Sequence, residues 1–174
     1  MINQGIMQEL RLAAIATLEG APESAIRLSP GVRVLDSSRR DERGAVLFWV
    51  NRELDLWGRG HAMLHHVDLE RVDGAWRGRG GGGGGSMSAS EILAEMGIGL
   101  HRLGGASSDS VRLTWAIASP EVASIELRTA DGIRSRHPGD DGFCLLGIDS
   151  GDSITYARAL DTHGCPLAGE PLLL

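Results

Sequence analysis

The stretch SIELRTADGIRSRH, residues 124–137, decides the fold class. Ile125 and Leu127 alternate with Ser124, Glu126 and Arg128, the period of two that puts apolar side chains on one face of a strand. Asp131-Gly132 then supplies the positive φ of a tight hairpin turn, and residues 133–137 return. Upstream, Val111, Leu113, Trp115 and Ile117 alternate with Arg112, Thr114 and Ala116. Downstream, Asp140-Asp141-Gly142 turns into a strand over 143–148, a polar turn at 150–153 leads into a strand over 154–160, and His163-Gly164 turns into the last segment. Strands every ~8–12 residues with turns between them predict a small β-sandwich-like antiparallel module. The Cys-Trp-Cys order of immunoglobulin domains is absent, because Trp115 precedes both Cys144 and Cys165.

Working back toward the N-terminus, the period changes twice. Ile2, Ile6, Met7, Leu10, Ala13, Ala14 and Leu18 recur at helical spacing, and Gly20 with Pro22 stops the helix. From Val32 the pattern is that of a strand, residues 37–44 read as a polar turn, and AVLFWV at 45–50 reads as a strand buried on both faces. Residues 61–71 alternate again. Met63, His65, Val67 and Leu69 fall on one face, and Leu64, His66, Asp68 and Glu70 on the other. Asp73-Gly74 is a second hairpin signal, with Trp76 on the returning strand.

Six consecutive glycines, residues 80–85, follow that strand. Glycine loses the most freedom on ordering, so the run reads as a flexible linker. Ser88 and Glu91 form a capping box that opens a short helix ending at Gly97. The expected organisation is a mainly β (α+β) chain in two parts. Residues 1–79 form a helix plus an antiparallel β meander, 80–87 a glycine-rich linker or loop, and 88–174 a short helix plus an antiparallel module. Small units are marginal alone, so the halves gain by packing together. The segments VDGAWRGRGGGGGG from Val72, IELRTADGIRS and DGFCLLGID resemble two-part β proteins of a kind common in actinobacteria. The resemblance implies the same two-part β architecture. It brings no catalytic or binding residue with it.

Composition removes several function classes. All 17 basic residues are arginine, which excludes a Schiff-base or phosphate-loop lysine. The glycine run therefore lacks the G-x-x-x-x-G-K-[ST] pattern of a phosphate loop. The formal net charge of −6 resides in residues 81–174, a poor partner for a phosphate backbone, so no nucleic acid is expected. No apolar run approaches the ~20 residues of a membrane span. Without a secretory leader the expected compartment is cytoplasmic, with reduced thiols. Whether Cys144 and Cys165 pair is open at this stage.

Candidate chemistry is sparse. His61 and His65 share a strand face, and with Asp68 they are the metal-ligand candidates, His66 pointing away. HAMLH lacks the glutamate that follows the first histidine in metalloprotease helices. The acid pairs in the glycine turns lack the calcium-loop pattern. No nucleophile elbow is present, and Cys144 sits in an apolar run as a small hydrophobe. Trp57 and Trp76 lie beside turns and, if exposed, are binding candidates, as are Arg39 and Arg40 in the polar turn. The sequence thus leads to a non-catalytic binding or accessory protein, without a cofactor, contacting a protein partner through loop tips. The competing reading is a small metal- or ligand-dependent enzyme using His61, His65 and His66. The N-terminal helix is a candidate homodimer surface.

Overall fold

The structure, a computed structural model, describes residues 4–52, 61–84, 89–108, 111–147, 154, 156–167 and 171–173. The chain divides into two compact units, Met1–Met87 and Ser88–Leu174.

In the first unit, helix α1 (Gln4–Leu18) precedes four strands: β1 (Val32–Arg40), β2 (Arg43–Arg52), β3 (His61–Val72) and β4 (Ala75–Gly84). They form one antiparallel meander in chain order. A 15-residue helix is marginal alone, so packing must hold α1. Leu10, Ala13, Ala14 and Leu18 supply that packing, buried against Val46, Phe48 and Val50 of β2, Val67 and Leu69 of β3, and Trp76. Each large apolar side chain so buried contributes about 1.5–3 kcal/mol. The buried side of the helix's apolar stripe thus packs on its own sheet. After α1 the chain returns along it, and the Glu9 carboxylate accepts from the Ser29 amide (2.5 Å) and hydroxyl (2.7 Å).

Two readings of this unit need correction. Residues 37–44 are not one long turn. β1 and β2 pair as far as Arg40 and Arg43, and Asp41, at φ 49°, closes a two-residue hairpin. Nor is the glycine run a linker through its first five residues, because Gly80–Gly84 complete β4 and pair with β3 up to Leu64↔Gly84. Residues 85–88, including the Ser88 cap, lie outside the described residues. Neighbouring side chains explain this strand. A Cβ on Gly83 would stand 2.1 Å from Cε1 of His65 and 2.5 Å from the Leu64 carbonyl oxygen. On the other face a Cβ on Gly82 would stand 3.3 Å from Cε1 of His66. The histidines of β3 lie across the all-glycine end of β4, Gly80–Gly84, the close approach that glycine in a strand permits.

The second unit begins with helix α2 (Ala89–Met96) and continues with seven strands: β5 (Leu100–Ser108), β6 (Val111–Ala118), β7 (Ser124–Thr129), β8 (Gly132–Arg136), β9 (Phe143–Gly147), β10 (Tyr156–Leu160) and β11 (Leu172–Leu173). Three form a sheet in the order β5-β6-β9, and four in the order β11-β10-β7-β8. Ala116, Ala118, Cys144 and Leu146 of the first sheet pack on Ile125, Leu127, Ala157 and Ala159 of the second. This is the two-sheet sandwich architecture that immunoglobulin and fibronectin type III domains share. β5 carries no clear apolar alternation, and Gly104 and Gly105 lie within it. A Cβ on Gly104 would stand 2.9 Å from three atoms of the Trp115 indole, so here too a large neighbour covers a strand glycine. Cys144 and Cys165 are both free thiols, the first buried and the second exposed.

Gly83→Ala therefore forces His65 or the β3 backbone aside and costs about 1–3 kcal/mol. Gly82→Ala changes stability by no more than about 0.5 kcal/mol. Thermal melts of the two variants check this, since in a free linker both substitutions would be silent.

Candidate functional site

Among the described residues the sequence candidates do not gather into one site. Trp57 lies outside the described residues, as does the side chain of His61, whose backbone begins β3. Trp76 is 7% exposed and belongs to the core under α1, so it is not a surface anchor. Arg39 extends over that core, its guanidinium carbon 5.4 Å from the Trp76 ring centre and its Nη1 donating to the Leu18 carbonyl at 3.5 Å. Arg40 lies 3.9 Å from the Asp41 carboxylate at the hairpin tip. These contacts make the two arginines supports of their own hairpin.

The metal candidates are divided by the pleat. His65 is opposite Phe48 and shares its face with Val67 and Leu69, toward α1. Asp68, three residues on, is on the other face with His66, so His65 and Asp68 cannot meet at one ion. Among the described residues no three His, Cys, Asp or Glu side chains converge.

His66 and Asp68 do face each other, Nε2 to Oδ1 at 3.8 Å, too far for a hydrogen bond. Burial lowers the pKa of His66 from its ordinary 6.5, against the pull of Asp68. Burial likewise raises Asp68 above its ordinary 3.8, opposed by the charges of His66 and Arg79. The environment therefore favours the neutral form of both groups.

A different set of residues does converge. Burying Ile125, Leu127, Ala157 and Ala159 in the sandwich core forces Glu126, Arg128, Tyr156 and Arg158 outward. Strand register then sets Leu173, Tyr156, Arg128 and Ile133 side by side in one row across β11, β10, β7 and β8. At strand spacing the row is about 14 Å long. Its two ends are large apolar side chains in water, Leu173 75% and Ile133 61% exposed. At its centre the guanidinium carbons of Arg158 and Arg128 lie 5.3 and 5.9 Å from the Tyr156 ring centre. The Tyr156 hydroxyl donates to Glu126 Oε1 at 3.3 Å, which fixes the ring.

The charge on this sheet runs against that of its unit. Residues 88–174 hold twelve acidic residues and six arginines, and two of those arginines, Arg128 and Arg158, share the outer face with one acid, Glu126, while Arg134 and Arg136 stand opposite Leu127 and Ile125 on the other face. Sequence reading overlooked the row because Ile133 and Leu173 look like ordinary strand apolar residues. Their exposure follows from β8 and β11 being the sheet's outer strands. The available signal was the chain's single tyrosine, two residues before an arginine on one strand face, the pair alternating with alanine.

The chain matches no protein-family model, no curated protein and no solved structure. Any functional reading must therefore come from the site itself.

The pH dependence of stability tests the buried pair. The lowered His66 pKa means the unfolded chain takes up a proton first, so the His66 contribution is lost as pH falls below about 6.5. The raised Asp68 pKa acts oppositely, its stabilisation being present below about 3.8 and lost as pH rises through the folded value. His66→Gln should therefore lose less stability than the parent between about pH 7 and pH 5 in urea titrations. Parallel curves would show that His66 is not buried in its neutral form.

Proposed function

We propose that the protein is a non-catalytic binding protein that docks a protein partner on the outer face of the β11-β10-β7-β8 sheet. One observation carries the reading: Leu173, Tyr156, Arg128 and Ile133 align in a single row, half-buried at Tyr156 and exposed at Arg128 and at both ends. Tyrosine and arginine are enriched among the residues that dominate interface energetics. Large apolar side chains at both ends supply area whose removal from water is favourable, at roughly 25 cal/mol per Å². Away from this face the unit is acidic, which repels a phosphate backbone. No helix among the described residues is long and apolar enough to cross a membrane.

This reading moves the contact surface from the loop tips of the first unit to a sheet face of the second. The hairpin arginines support their own unit, whereas the row has apolar side chains to bury. The metal-dependent reading draws less support, since His65 and Asp68 lie on opposite faces of β3. Fold architecture alone does not decide between these functions.

The test is affinity capture from a lysate of the source organism, using the parent chain, an Ile133→Glu/Leu173→Glu double variant and Leu12→Glu as control. Leu12 is 62% exposed on α1, beside an open groove of about 650 Å³ between the helix and residues 25–29. All three replaced side chains are solvent-exposed, so melting temperatures should stay close to the parent's. The expected result is loss of the captured protein by the double variant and its retention by Leu12→Glu. Retention by the double variant, or loss with Leu12→Glu alone, contradicts the proposal.

A further inference from the structure

We infer that the partner presents a carboxylate side chain to Arg158, seated over Tyr156 between apolar groups that meet Leu173 and Ile133. The inference rests on the sheet face being the docking surface, and it names the chemistry of what docks there.

Register places Glu126 directly opposite Arg158, where a cross-strand ion pair would be expected. No such pair forms. Glu126 instead accepts from the Tyr156 hydroxyl at 3.3 Å. Arg158 lies against the ring of its own strand neighbour, with no carboxylate within ion-pair distance among the described residues. An arginine fork set against an aromatic ring is positioned, with its donors in fixed fork geometry, for a planar acceptor. A carboxylate accepts two parallel N–H bonds from such a fork, with more specificity than a neutral acceptor offers.

Charge also separates candidate occupants. A second copy docked face to face would set Arg128 and Arg158 against the same arginines, and like-charge juxtaposition opposes that pairing. An acidic partner is attracted to the same face, although the chain's net charge of −6 repels it elsewhere. The row about 14 Å long sets the pattern of that partner: an Asp or Glu flanked on both sides by large apolar residues.

The experiment is selection of a random peptide display library against the full-length parent. Binding of the enriched peptides is then measured on the parent, on Ile133→Glu/Leu173→Glu and on Arg158→Gln. The expected peptides carry Asp or Glu between apolar residues and lose at least about tenfold in affinity on the double variant. On Arg158→Gln they should weaken about tenfold, and replacing the peptide's acid by its amide should then make no further difference. Peptides that need Ile133 and Leu173 but bind equally well with the amide, or equally well to Arg158→Gln, would overturn the carboxylate and leave the docking face standing. Peptides indifferent to the double variant would overturn both. Self-association of the parent that the double variant abolishes would replace the acidic partner by a second copy.

Discussion

A strand cannot bury both of its faces by itself, and this alternation governs what the chain exposes. In the sandwich, Ile125, Leu127, Ala157 and Ala159 must enter the core for the two sheets to pack. Once they do, Glu126, Arg128, Tyr156 and Arg158 have no other direction than outward. The surface row thus follows from the register of the core. A one-residue slip of β7 against β10 would bury Glu126 and Arg128 and expose Ile125 and Leu127, so the register is strongly specified.

The first unit meets the same constraint with a helix. α1 covers one face of a four-stranded meander, and the small residues Ala13 and Ala14 let it approach β2 and β3 closely. At β4 the unit inverts the usual arrangement. Side chains come from the neighbouring strand, and glycine makes room for them. His65 and His66 lie on opposite faces of β3 and cross opposite faces of the same glycine strand.

Much of the fold was legible in the sequence. The α1 stripe, the buried run in β2, the alternation along β3 and the Asp73-Gly74 turn all appear where the pattern places them, while the hairpin read at Asp131-Gly132 turns one residue earlier, on Ala130-Asp131, with Gly132 opening β8. Those signals are local, because a residue's own type and its neighbours at fixed spacing decide them. The failures share a different cause. Gly82, Gly83 and Gly104 are strand residues covered by His66, His65 and Trp115, and those partners come from the neighbouring strand. Glycine's intrinsic preference points the other way. The candidate site was legible only in part. Alternation predicts that Arg128 and Arg158 face away from Ile125 and Ala157. Only sheet order places Leu173 and Ile133 at the ends of the same row.

The functional account depends on Tyr156 sitting at the centre of a docking surface. The chain has a single tyrosine, so growth on 3-fluorotyrosine introduces one fluorine-labelled site. The ¹⁹F spectrum of that site, recorded with and without the protein captured from native lysate, reads the surface directly. The account predicts a shifted or broadened resonance on complex formation, and the free-chain signal when the same protein is added to labelled Ile133→Glu/Leu173→Glu. A complex that forms while the Tyr156 resonance stays unchanged would place the binding surface elsewhere and contradict the account.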